Sequence, residues 1–265
     1  MSDTVQRANA AADGARDIDG PAGASKLAAR TLVLLATICA HPLAAQTPTP
    51  TTEWAGLDRY RVENAMLPPP ERDRVVFMGN SITEGWARLF PTLFPGRPYV
   101  GRGIGGQTTS QMLVRFRQDV IALRPKVVVI LAGTNDIAGN TGPAALHEIQ
   151  GNLASMTELA QANGIGVVLC SVLPVFDYPW RPGLEPAPRI MALNAWLKRY
   201  AAGRNAVYVD LHSAMEDERH GMRAHLASDG VHPTEAGYRV MAPLVEQGIA
   251  VALRPRVRQL GAPAI

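Results

Sequence analysis

Asp229-Gly230-Val231-His232 places a carboxylate and an imidazole three residues apart, just ahead of a helix-like segment that opens at Thr234. At that spacing in a turn the acid can orient the ring, or both can face one cleft. A histidine held by a carboxylate is the group that activates a weak hydroxyl nucleophile. Ser81 is the hydroxyl best placed to meet it, because it follows the apolar run Val75 to Met78 and precedes a second helix-like segment. A serine in front of a helix is also an ordinary N-cap, and these residues alone leave both readings open. Asn135, in Gly133-Thr134-Asn135-Asp136 at the end of another apolar run, offers a side-chain amide donor or an Asx turn. Gly101, Gly103 and Gly106 fit a dinucleotide-binding spacing, but the acidic residue expected about 20 positions on is missing from Arg124-Pro125-Lys126. A strand-to-helix turn that needs positive φ at Gly106, with an unobstructed N–H, is the plainer reading.

These groups can meet only if the elements before them end on one edge. Short apolar runs predict strands over 74–79, 98–101, 126–132, 166–173 and 206–210. Amphipathic segments between them predict helices near 83–90, 107–123, 143–163, 188–202 and 234–253. Alternation of this kind implies a three-layer α/β/α domain around a parallel sheet of about five strands. Ligands in such sheets bind beyond the carboxyl ends of the strands, where Ser81 and Asn135 both fall.

The four blocks taken in order resemble the SGNH/GDSL-type esterases and lipases (acylhydrolases): GNSIT at Ser81, GIGGQTT at Gly106, GTND at Asn135 and DGVHPT at Asp229 and His232. The resemblance covers roughly residues 70 to 250. It implies the flavodoxin-like SGNH-hydrolase fold and a carboxylic ester hydrolase that needs no cofactor or metal. It further implies Ser81 as nucleophile, His232 as general base and Asp229 as its partner, with the Ser81 N–H, Gly106 N–H and Asn135 side chain as oxyanion donors. Asn80 departs from the aspartate of the family pattern, keeping shape and hydrogen bonding while losing a charge. The serine lacks the G-x-S-x-G elbow of ordinary α/β-hydrolases.

A second acid and imidazole pair, Asp210 and His212, follows the fifth strand and reads as strand-end hydrogen bonding. His41, His147, His220 and His225 lack a partnered motif and read as surface or structural. Between the fourth strand and the next helix runs the long proline-rich connection 174–187, with Phe176, Tyr178 and Trp180 among Pro174, Pro179 and Pro182. Aromatics held that stiffly either cover the sheet edge or form a wall of the substrate site.

Ahead of this domain, residues 1–25 are polar and without apolar periodicity, and read as disordered or as a mis-assigned start. Lys26 and Arg30 precede the apolar run Thr31 to Ala40 and the small residues Leu43-Ala44-Ala45, the layout of a signal peptide over 26–45 cleaved near Ala45. An uncleaved anchor or a buried helix is the alternative. Ile38 ahead of Cys39 is too bulky for a lipoprotein motif. The Pro/Thr stretch 46–53 reads as a linker, leaving 54–265 as a single domain. The expected product is exported, periplasmic or secreted, without stable membrane insertion after cleavage.

Four basic and four acidic residues lie in 1–45, so the remainder keeps the formal charge of +3. That is too mild to imply nucleic acid as a partner. Of the two cysteines, removal of Cys39 leaves Cys170 alone in an apolar run, which excludes an internal disulfide. The expected substrate is a small-molecule or glycan ester with a small acyl group, O-acetyl groups of a glycan being one case. A lysophospholipase or thioesterase, and a non-catalytic carbohydrate-binding envelope protein, are the alternatives. Fold and site residues specify neither the acyl chain nor the alcohol, and oligomeric state is not legible.

Overall fold

A computed structural model describes residues 54–70 and 72–254. The expected leading segment 1–25, signal 26–45 and linker 46–53 lie outside the described residues, as do residues 255–265.

Five strands form one parallel sheet in the order β2-β1-β3-β4-β5. They are β1 (Val75–Gly79), β2 (Tyr99–Gly103), β3 (Val127–Leu131), β4 (Gly166–Cys170) and β5 (Val207–Val209). Residues of β1, β3 and β4 are buried throughout, as strands covered on both faces must be. Their side chains divide by parity. Val76, Met78, Val128, Ile130, Val167 and Leu169 enter one core, where helices α4 (Thr109–Asp119), α6 (Leu146–Ala162) and α7 (Ala187–Gly203) pack. Val75, Phe77, Val127, Val129, Val168 and Cys170 enter the other, against α2 (Ser81–Ala87), the short α3 (Phe90–Leu93) and α9 (Glu235–Ala252). Phe77 anchors an aromatic cluster in this second core, with ring centroids 5.5 Å from Trp86, 4.7 Å from Phe90 and 5.4 Å from Tyr99. The three-layer α/β/α architecture is therefore the one expected.

The order reverses beside β1, whose neighbours are β2 on one side and β3 on the other, and a crevice opens at such a switch point. In the register, Gly79 stands opposite both Gly103 and Leu131, so the loops after β1, β2 and β3 leave the sheet at one level. Ser81, Gly106 and Asn135 each follow one of these strand ends within four residues.

The expected strand 166–173 ends early, at Cys170. Beyond it the Val172 N–H and C=O bond the side chain of Asn194 on α7, at 2.7 and 2.9 Å, in place of a neighbouring strand. Strand β2 instead runs two residues further, to Gly103. Four short helices are additional: α3, α1 (Arg61–Met66), α5 (Thr134–Ala138) and α8 (His212–Met215). No described helix is long and apolar enough to cross a membrane.

Candidate active site

Strand β1 delivers Ser81, and the residue before it decides what Ser81 is free to do. The Asn80 side chain accepts the Ile82 N–H at 3.0 Å and takes the N-cap of α2, so the capping role read for Ser81 falls to its neighbour. Ser81 becomes the first residue of α2, and its Oγ lies 2.9 Å from His232 Nε2. Close seating of α2 on the sheet depends on Gly103. A Cβ there would come within 2.2 Å of the Glu84 nitrogen and 2.6 Å of the Asn80 carbonyl oxygen. The glycine spacing read against a dinucleotide site thus serves this approach.

His232 sits in a loop closed on itself ahead of α9. Ser228 N–H donates to the His232 carbonyl at 2.9 Å, and Thr234 N–H donates to Leu226 at 2.9 Å before Thr234 caps α9. Asp229 Oδ2 lies 2.7 Å from His232 Nδ1, while Oδ1 accepts the backbone N–H groups of His232 at 2.8 Å and Val231 at 3.0 Å. Partial burial pushes the Asp229 carboxyl upward, but these bonds outweigh it and hold the group below its ordinary value. The acid is therefore ionised at neutral pH. Tyr238 on α9 ties the two halves together, donating to the Ile82 carbonyl at 2.8 Å and stacking on Trp86 with centroids 5.8 Å apart.

Gly106 lies in the loop after β2 with φ +75°, where a side chain would be strained although only Asn140 Nδ2, at 3.9 Å, is near its Cβ position. The preceding Gly105 abuts the serine: a Cβ on it would lie 4.0 Å from the Ser81 Cβ. Two side chains pin this turn, Glu84 accepting the Gly105 N–H at 2.9 Å and Asn140 donating to the Gly106 carbonyl at 3.1 Å. Asn135 is buried as the second residue of α5, neither an N-cap nor an Asx turn, and its Nδ2 donates to the Gln107 carbonyl at 2.9 Å. The amide has a second hydrogen to offer. Beside it Asp136 accepts the Thr109 N–H at 3.0 Å and the Thr109 hydroxyl at 2.5 Å, with burial raising its carboxyl pKa against those bonds.

The 174–187 connection does reach this site, through one of its three aromatics. Trp180 is 45% exposed, its ring centroid 6.3 Å from that of His232 and its Nε1 donating to Asn140 Oδ1 at 3.2 Å. Tyr178 differs from the expectation of a wall residue. It is 0% exposed, and its hydroxyl is taken by the Thr134 hydroxyl and carbonyl at 2.8 and 3.0 Å, so it supports Trp180 from beneath. Phe176 is 54% exposed and lies under the Arg219 guanidinium at 4.9 Å, toward the segment leading into the histidine loop. Asp177 shapes the turn by accepting the N–H groups of Tyr178, Gly183 and Leu184.

The members of the second acid and imidazole pair are engaged with partners other than Ser81. Asp210 accepts the Ser213 N–H and hydroxyl at 3.0 and 2.8 Å, and His212 lies 3.6 Å from Glu216. Cys170 is fully buried, and burial pushes its thiol pKa up, which suits a packing role. Among the described residues no group of three or more His, Cys, Asp or Glu side chains is arranged to hold a metal. Sequence reasoning missed Glu84, Gln107, Asn140 and Tyr238. Gln107 stands inside a quoted block and Glu84 directly follows one, but only the folded chain reveals which backbone groups they reach.

The arrangement is a hydroxyl, an imidazole and a carboxylate in hydrogen-bonded series, with the Gly105-Gly106 turn beside the hydroxyl. Residues 77–240 match the family model of the GDSL-like Lipase/Acylhydrolase family, and the chain belongs to that family. Among solved structures, an acylhydrolase candidate from Bacteroides fragilis is 50% identical, with a TM-score of 0.73 over 76% of this chain and 99% of its own. The acetylxylan esterase of Geobacillus stearothermophilus is 26% identical over 64% of this chain and 90% of its own length. An uncharacterized lipoprotein of Bacillus subtilis, YqeF, is 30% identical over 39% of this chain, which spans about half (49%) of its length.

Proposed function

We propose that this chain is an exported serine esterase that removes small acyl groups, O-acetyl groups of a glycan among them, through an acyl-enzyme on Ser81. The observation that carries the reading is the unbroken series Ser81 Oγ, His232 and Asp229, at 2.9 and 2.7 Å. As Ser81 Oγ attacks the ester carbonyl carbon, its proton passes to His232 Nε2, and the imidazolium is held by ionised Asp229. The carbonyl oxygen becomes an oxyanion that the Ser81 and Gly106 N–H groups and the Asn135 amide receive. Loss of one such donor costs about 2.7–4 kcal/mol in kcat. The tetrahedral adduct collapses, the C–O bond to the alcohol breaks, and His232 returns the proton to the leaving oxygen. Water then attacks the acyl-enzyme with His232 again as base, and releases the carboxylic acid and free Ser81.

The small acyl group is favoured by Trp180, whose indole stands beside the imidazole and is tied to Asn140. The glycan alcohol is favoured by the likeness to an acetylxylan esterase. Export rests on Lys26, Arg30 and the apolar run Thr31 to Ala40 ahead of Ala45. The test is a panel of p-nitrophenyl esters of rising chain length alongside acetylated xylan. kcat/KM should be highest for acetate and fall at least ~10-fold by octanoate, since pocket size discriminates by ~1–3 kcal/mol per methylene. A preference for octanoate would favour a lysophospholipase or thioesterase, and no turnover of any ester would favour a binding protein.

A further inference from the structure

Helix α4 carries a buried ion pair that the chemistry above does not use. Arg115 and Asp119 are both 0% exposed, joined by a 3.1 Å contact from Nη1 to Oδ2. Stability is a weak account of such a pair, because apolar residues of similar volume commonly replace one at no loss. The other guanidinium nitrogens do something more specific. Nη2 donates to the Gly79 carbonyl at 3.0 Å, and Nε donates to Gln107 Oε1 at 2.6 Å. Gly79 stands two residues before Ser81, and Gln107 directly follows Gly106. The Gln107 carbonyl in turn accepts Asn135 Nδ2 at 2.9 Å, and the Gln107 amide is anchored to the Ala55 carbonyl at 2.7 Å. One planar fork therefore braces the end of β1, the glycine turn and, through Gln107, the asparagine.

We propose that Arg115 is a positioning residue for the oxyanion hole, fixing all three donors relative to one another while Asp119 orients its guanidinium. The inference rests on the reading of Ser81, Gly106 and Asn135 given above. Oxyanion donors act by preorganisation, so a small displacement of a donor lowers the rate without weakening ground-state binding. Lysine at this position keeps a charge beside Asp119 but cannot span Gly79 and Gln107 in one plane.

The test measures p-nitrophenyl acetate hydrolysis by the full chain carrying R115K, N135A, both, or S81A. Each kcat is divided by the active sites titrated to completion with a phosphonate, so that misfolded protein does not count; S81A, which has no serine to titrate, is taken per folded chain. R115K should lower kcat per site by ~10–100-fold with KM held within ~2-fold. In the N135A background the same change should cost under ~3-fold, because the two act on one unit. R115M/D119L, which removes both charges together, makes the same comparison if R115K does not fold. Wild-type kcat per site in R115K or R115M/D119L, or an undiminished penalty in the N135A background, would overturn the inference. Activity retained by S81A would instead overturn the site reading beneath it.

Discussion

Among single residues, the division of labour between the two imidazoles is the sharpest consequence of the geometry. His232 touches the Ser81 hydroxyl, whereas His212 touches Glu216 on an element that does not carry the site. His232→Ala is expected to lose on the order of 10⁶ in kcat and His212→Ala to stay near wild type, as steady-state assays on folded variants will show. Asp229→Asn keeps the shape and loses the charge, for an expected fall of about 10⁴-fold. Because hydrogen bonds hold the Asp229 carboxyl below its ordinary value, loss of kcat/KM between pH 7 and 5 should come from a group other than Asp229. The candidate groups themselves were legible in the sequence, since each lies in a short block whose spacing is local. What was not legible is that Asn80, not Ser81, caps α2, because the choice between adjacent polar residues depends on where the strand releases the chain.

At the scale of elements, the loop after β4 divides its aromatics between support and contact. Trp180 stands beside His232 while Tyr178 is sealed beneath it against Thr134. Trp180→Ala should therefore change relative kcat/KM for acetate over longer acyl esters by ~10-fold with little change in Tm. Tyr178→Ala should lower stability by about 3–5 kcal/mol, as for other buried aromatics, with acyl preference less affected. Melting curves and ester panels on the two variants separate these outcomes, and the reverse pattern would exchange the roles. Strand positions were readable because β1, β3 and β4 are apolar on both faces, but the end of β4 was not. The apolar run continues through Val172 and Leu173, while the backbone there pairs with Asn194 22 residues later in the chain. Helix α5 escaped notice for a similar reason: at five residues it is too short for periodicity, and Thr109 on another element steadies it through Asp136.

For the whole molecule, the sheet and both cores follow from a pattern visible in one dimension, alternation of apolar runs with amphipathic segments. The contacts that join the two sides of the sheet to the site, such as Tyr238 to Ile82 and Arg115 to Gly79, link residues far apart in sequence and have no local signature. By contrast a local group, His212 at the start of α8, should make stability depend on pH. His212 is 7% exposed, and burial lowers its pKa despite Glu216 and Asp210 nearby, with His220 on the other Glu216 oxygen opposing them. The neutral ring is the folded form, whereas the unfolded chain takes up a proton near the ordinary value of about 6.5. The unfolded state thus binds more protons just below that pH, so stability is fully present above it and falls as pH drops. Tm of the wild type should decline more steeply from pH 7.5 to 5.5 than Tm of His212→Gln; parallel slopes would show that His212 does not titrate on unfolding.

In the proposed reaction Ser81 carries the acyl group. The most direct measurement of that role is intact-protein and peptide mass spectrometry after reaction with a p-nitrophenyl phosphonate. The expected result is one adduct per chain, on the peptide containing Ser81, absent from Ser81→Ala and strongly slowed in His232→Ala. An adduct on another residue, or an unmodified Ser81 in protein that still hydrolyses p-nitrophenyl acetate, would contradict it.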